Sequence, residues 1–332
     1  MVKRSFEEVA ISLIRLGSPK VFVLCILLLL WNESIDFDKD IDLAELFSGS
    51  GTLSKEFYYE GKEVVACDLK YGRGMDICQS SGFGTFCSAV LCGRPNSCVW
   101  LGVLCSSWVS ISRPSTRRSY ANPEGFEGYE KVRTANLMAA RSAFLCLLAA
   151  ALGQWWVIEQ PRTSLLLQSQ RFKWLRDKLQ VYRLDLWMAL FGSRTPKRSS
   201  LWSNSRVISL FFSSRKLQRS LQDPTFKTTK RYVNEKGKQC FEGNRNLTDT
   251  GIYTRQFARR AFEVMQLGES VLPKSEFFVG DKKPNQAILL FQAMDDSDNC
   301  EDAGLIAVAH YLRGCKALCI PEEWRAVLPK RL

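Results

Sequence analysis

The residues of this chain that could do chemistry fall at the ends of short apolar runs. Phe47-Ser48-Gly49-Ser50-Gly51 closes the run 43–47 and opens a helical stretch. Glycines at such a place let the backbone turn sharply and come close to a ligand. Asp68 ends the next run, placed to bond both ribose hydroxyls of a nucleoside cofactor. Asp76, in Gly74-Met75-Asp76-Ile77, suits a position beside the adenine. The third glycine of the nicotinamide-binding fingerprint is missing, so at this point a plain glycine turn before a helix stays open as the alternative.

Cys105 lies just past the strand-like run 97–103, in a loop that also carries Arg113, Arg117 and Arg118. Neighbouring positive charge lowers a thiol pKa from about 8.5, which suits a nucleophile. The alternative is one more buried cysteine among the chain's 12. Glu159 ends the strongly apolar run 155–159, where a carboxylate suits proton donation or the bonding of a base ring nitrogen. Strand-ending glutamates otherwise serve as cap or loop residues. Arg194, Lys197 and Arg198 share a loop after Phe191-Gly192. Cys78, Cys87, Cys92 and Cys98 show no paired C-x-x-C spacing, and no metal is expected. The single histidine, His310, removes Ser-His-Asp and Cys-His hydrolysis from contention.

Holding these residues requires alternating elements. Runs 43–47, 63–68, 97–103 and 155–159 read as strands, and 52–60 and 131–152 as helices. That order predicts an α/β fold with a mostly parallel sheet covered by helices on both faces. Residues 203–250 break the rhythm with Ser, Arg and Lys and read as a small basic, solvent-facing insertion. An amphipathic helix resumes at 253–265, with Phe257, Ala261, Phe262 and Met265 on one side. The organisation expected is an N-terminal apolar segment and linker at 1–41, a main domain at 42–268 and a C-terminal extension at 269–332. The continuous apolar run 21–31 is shorter than the roughly 20 residues a membrane span needs. It is followed by no small-x-small cleavage site, and a buried helix stands beside a signal or anchor as its reading.

There are 46 Lys and Arg against 34 Asp and Glu, a net charge of +12 that suits a polyanionic partner. Cys67, Cys98 and Cys146 sit inside apolar runs, as reduced thiols of an intracellular protein, nuclear or cytoplasmic, would.

Taken in order, these segments resemble the DNA (cytosine-5) methyltransferase family of S-adenosylmethionine-dependent methyltransferases, over about residues 42–265. The family's F-x-G-x-G is matched by Phe47-Ser48-Gly49-Ser50-Gly51, its strand-ending acid by Asp68, and its Gly-Asp-Ile-like acid by Asp76. Leu104-Cys105-Ser106 stands for Pro-Cys-Gln, Glu159-Gln160-Pro161 for Glu-Asn-Val, and the Lys197/Arg198 loop for Gln-x-Arg-x-Arg. Leu104, Ser106, Gln160 and Pro161 depart from the family pattern. Tyr253-Thr254-Arg255-Gln256 resembles the start of the family's closing helix.

The resemblance implies a Rossmann-like methyltransferase fold with residues 203–250 as a target-recognition insertion. It implies S-adenosylmethionine held by Phe47, Ser48, Gly49, Ser50, Gly51, Asp68 and Asp76. A flipped cytosine would be attacked by Cys105, with Glu159 at ring N3 and either Lys197 or Arg198 in the arginine role. Arg113, Arg117 and Arg118 would grip the phosphates of nucleic acid, DNA before RNA. Two other readings stand beside it: a protein that keeps the fold and binds nucleic acid without catalysis, and a methyltransferase acting on a small molecule or a protein.

Overall fold

The computed structural model describes residues 5–195, 197–212, 226–271, 286–294 and 303–328. The chain opens with two helices, α1 (Phe6–Arg15) and α2 (Lys20–Leu30). There follow β1 (Ile41–Leu46), α3 (Thr52–Tyr59), β2 (Val64–Cys67), α4 (Ser80–Leu91), β3 (Gly93–Leu101), the short α5 (Arg113–Thr116) and the long α6 (Glu130–Ala151). Then come β4 (Trp155–Pro161), α7 (Gln170–Lys178), β5 (Tyr182–Trp187) and β6 (Arg198–Ser203). A hairpin of β7 (Thr229–Val233) and β8 (Gln239–Gly243) leads to α8 (Arg245–Asp249) and α9 (Arg255–Val271). The described chain closes with α10 (Gln286–Ala293), α11 (Ala303–Arg313) and α12 (Glu322–Arg325).

Six strands form one sheet in the order β2-β1-β3-β4-β6-β5. The first four run parallel, while β6 lies antiparallel between β4 and β5. The register sets Glu45 opposite Trp100, Trp100 opposite Val157, and Glu159 opposite Leu201. Because side chains alternate along a strand, these residues share one face of the sheet. Glu45 and Glu159 therefore stand near the carboxyl ends of β1 and β4 on the same side.

That face is covered by α3 and α9. Phe57 packs edge-on to Phe262 at 5.1 Å, and Trp100 meets Phe257 at 5.8 Å. The other face presents Ala44, Leu46, Val99, Leu101, Trp156 and Ile158 to a thicker layer that includes α2, α4 and α6. The expectation of a mostly parallel sheet with helices on both faces agrees with this arrangement.

The apolar run near the N-terminus is a core element. Every residue from Val21 to Leu29 is buried, as expected of a helix that is apolar all round. Its cover comes from the chain itself, notably α11 and α1. The C-terminal helices join the same core: Trp324 of α12 lies 5.4 Å from Trp31 and 5.6 Å from Phe291. Segments expected to flank the main domain thus share one core with it. In α6, which is long and apolar enough to cross a membrane, two-thirds of the most apolar stretch is buried inside the fold.

The expected insertion at 203–250 divides in two. Val207, Ile208 and Phe211 are buried beside β5 and β6, so its first part is core. Residues 213–225 lie outside the described residues, and the exposed hairpin β7–β8 is the solvent-facing part. Parts of the 269–332 extension also lie outside them.

Candidate active site

The glycine loop leaves β1 through an unusual backbone. Phe47 takes φ 58°, Gly49 52° and Gly51 64°, all in the left-handed region. A bulky residue there is strained by about 1–3 kcal/mol, and such strain gathers at functional sites. The Gly51 N–H closes the turn on Ser48 O at 2.8 Å, and Gly51 caps α3. A Cβ at Gly49 would meet no atom within 4 Å, so its backbone is open to a ligand.

Asp68 reaches this loop, as its spacing implied. Its carboxylate accepts the Gly49 N–H at 2.8 Å and the Lys70 N–H at 3.0 Å. A carboxylate has about four lone-pair sites, so capacity for hydroxyl donors remains. Asp76 caps Cys78 N at 3.0 Å where α4 begins. Its backbone is wedged against Gly82, where a Cβ would fall within 1.9 Å of Asp76 O. Arg141 of α6 braces the same segment by donating to Ile77 O and Gln79 O. The remaining loop residue, Ser50, bonds Thr52 side chain to side chain at 2.7 Å.

Glu45, at the end of β1, is 1% exposed. Its Oε2 accepts both the backbone N–H (2.8 Å) and the hydroxyl (2.5 Å) of Ser54, while Oε1 accepts nothing. Burial raises its pKa, opposed by the Ser54 bonds and by Lys70. Ser48 Oγ is likewise buried without a partner. Unpaired buried polar atoms are costly, and two of them flank the glycine loop.

Three residues from separate stretches meet beyond the ends of β3, β4 and β6. Glu159, 6% exposed, stands 3.3 Å from Lys197 Nζ. Its Oε1 accepts no hydrogen bond, so this is a charge contact out of hydrogen-bond alignment. Lys197 also donates to Thr250 O at 3.2 Å. Both charges act on Cys105: Lys197 favours its thiolate and Glu159 opposes it. Burial is the largest influence, and the thiol is pushed up from its ordinary value. The expectation of a lowered thiol pKa is therefore corrected. The arginines that were to lower it point elsewhere, and Lys197 only part-offsets burial.

The Lys197/Arg198 alternative is resolved by strand alternation. Arg198 is the first residue of β6, and its guanidinium lies 3.9 Å over the Trp187 ring. It faces away from Glu159, so its assignment to the site is corrected, and Lys197 is the cation present there.

The arginine loop is corrected in part. Arg118 is 2% exposed, donates to Ser107 Oγ, Pro123 O and Val132 O, and lies 3.5 Å over the Trp108 ring. Burial lowers its pKa to about 10, opposed by Glu124 and Glu127. It holds the loop together and cannot reach phosphates. Arg113 is half-buried with its guanidinium 5.2 Å from the Tyr120 ring. Arg117 is exposed, 4.8 Å over Phe126.

Two residues of the site escaped the sequence reading. Gln160 is 1% exposed and donates to Val103 O at 2.6 Å, tying the Glu159 strand to the segment that leads to Cys105. Its departure from the family's asparagine was the available signal. Tyr253, just before α9, accepts the Trp100 indole N–H at 3.1 Å. Burial and the charges of Glu159, Glu45 and Cys105 keep its phenol protonated well above the ordinary range. Its sequence marked only the start of a helix, and its role stayed hidden because its neighbours come from distant strands. The chain matches no protein-family model, no curated protein and no solved structure.

Proposed function

We propose that this protein is an S-adenosylmethionine-dependent methyltransferase of the cytosine-5 type, acting on cytosine in nucleic acid through a covalent adduct of Cys105. The observation that carries this is the convergence of Cys105, Glu159 and Lys197 beside a glycine loop bonded to Asp68. The reversed β6 supports a Rossmann-like methyltransferase fold over the all-parallel order of dinucleotide-binding sheets. The donor fits: open backbone at Gly49, spare acceptor capacity on Asp68, and unpaired Ser48 Oγ and Glu45 Oε1 suit a ligand bearing hydroxyl and ammonium donors. Phe47, Ser48, Gly49, Ser50, Gly51 and Asp68 would hold S-adenosylmethionine, with Asp76 at the far side of the adenine. Bound there, it supplies an electrophilic methyl group.

The chain's own residues then have these tasks. Cys105 gives up its proton to Glu159, and its sulfur adds to C6 of a base flipped into the site. Glu159, now carrying that proton, passes it to ring N3 as the sulfur–C6 bond forms, leaving an enamine whose C5 takes the methyl group. Loss of the C5 proton to solvent or a nearby base expels Cys105 and restores the ring. Lys197 holds the thiolate while it exists.

Labelled S-adenosylmethionine incubated with DNA and with RNA tests the reading, together with trapping on a 5-fluorocytosine duplex. Transfer and a trapped adduct that both vanish in Cys105→Ser are expected. Absence of transfer from the wild type refutes it. The raised thiol favours one second reading, a fold that binds nucleic acid without catalysis. In that case nucleic acid is bound and no adduct is trapped from any substrate.

A further inference from the structure

The polar groups around Cys105 are incompletely paired in a way that describes a ligand they would suit. Glu159 Oε1 accepts no hydrogen bond, although it is buried. Tyr253 accepts from Trp100 Nε1–H, and its own hydroxyl proton finds no acceptor among the described residues. The hydroxyl sits where β3 turns towards Cys105: a Cβ at Gly102 would lie 3.4 Å from it and 3.1 Å from Phe47 O. It thus stands between the glycine loop and the Cys105–Glu159 pair. Lys197 is already engaged by Glu159 and by Thr250 O, and Arg198 has turned to Trp187.

The site therefore offers a buried carboxylate oxygen that accepts no aligned hydrogen bond and a neutral hydroxyl donor, both close to Cys105. A six-membered base with an N–H or amino edge and a ring carbonyl matches that pair, and cytosine carries both. We propose that Tyr253 is a substrate-contacting residue whose hydroxyl donates to the ring carbonyl oxygen of the bound base. Its indole partner makes the hydroxyl an acceptor towards Trp100, which leaves the O–H free to donate to a ligand. Burial keeps the phenol protonated, so it serves as a donor across the working pH range. This assignment rests on reading the site as a base-binding pocket.

The test uses the full chain, the wild type and Tyr253→Phe, and short duplexes with one mismatched cytosine or one mismatched 2-thiocytosine. The sulfur of the second is a poor acceptor at the carbonyl position. The wild type is expected to bind the cytosine duplex about tenfold more tightly than the 2-thiocytosine duplex, with Tyr253→Phe weaker by a similar factor and unable to tell the two apart. S-adenosylmethionine affinity of Tyr253→Phe should match the wild type, while its unfolding temperature should fall by a few degrees because the buried Trp100 N–H loses its acceptor. Equal cytosine affinity in the two proteins overturns the assignment, as does a wild type that does not distinguish the duplexes. Loss of donor affinity alone puts the hydroxyl on the donor and overturns it too. A protein that shows the expected discrimination but transfers no methyl group refutes the methyl-transfer reading and leaves Tyr253 where it is placed.

Discussion

At the scale of single residues, Cys105 is governed by two opposed charges and by burial. Burial and Glu159 raise the thiol's pKa, and Lys197 lowers it. A raised pKa means a smaller thiolate fraction at neutral pH. The rate of Cys105 alkylation should therefore keep rising with pH beyond about 8.5, the value at which a free thiol is half ionised. Lys197→Met removes the lowering charge and should move that profile to higher pH. Glu159→Gln removes a raising charge and should move it to lower pH. Peptide-resolved alkylation by mass spectrometry reads both without requiring turnover, and shifts in the same direction would refute the arrangement. The arginine loop separates in the same manner. Arg118→Ala leaves Ser107, Pro123 and Val132 without their donor and Trp108 without its stacking partner. It should cost about 1–3 kcal/mol in chemical denaturation, the range for leaving buried hydrogen-bonding groups unpaired. Arg117→Ala, on an exposed side chain, should fall within about 0.5 kcal/mol of the wild type. If the two variants are equally stable, Arg118 does not hold the loop.

At the scale of elements, the glycines around the donor loop act in different ways. Gly82→Ala forces a methyl group into the Asp76 backbone, which cannot move as a side-chain tip can. Overpacking of this kind costs about 1–3 kcal/mol, so a lower denaturation midpoint is expected. Gly49→Ala meets no neighbour but holds alanine at φ 52°, costing roughly 1–2 kcal/mol, and its methyl group projects into the open side of the loop. S-adenosylmethionine affinity, measured by calorimetry, should fall more in Gly49→Ala than its stability loss explains. The strands β1, β2, β3 and β4 were legible in the sequence as short apolar runs, and the helix α6 as a long one. Strands β5 and β6 were not. Tyr182–Trp187 alternates charged and apolar residues in a hairpin half open to solvent, and Arg198–Ser203 is rich in serine. Missing β6 is why Lys197 and Arg198 were indistinguishable: only a strand's alternation sends two neighbouring cations to opposite faces. Glu159 and Cys105 were visible as strand ends, whereas Tyr253 required the register that brings α9 over Trp100.

At the scale of the whole molecule, the first and last helices behave as core, although they bracket the sheet in the sequence. The run 21–31 looked separable because apolarity alone cannot say what covers it. Its cover comes largely from the other end of the chain: α11 lies on α2 and α4, and Trp324 packs between Trp31 and Phe291. From there a short path leads to the donor side. Arg141 bonds both Gly304 O at the start of α11 and Ile77 O beside Asp76. If these contacts make one cooperative unit, Trp324→Ala should destabilise the entire chain, by about 3–5 kcal/mol for a fully buried aromatic. Far-ultraviolet circular dichroism and tryptophan fluorescence should report one coincident transition, shifted together in the variant. Two separated transitions, with only the first moved by Trp324→Ala, would mean that the terminal helices form a layer of their own. The donor site would then be stable without them, and the bracing of Asp76 through Arg141 would owe nothing to α11.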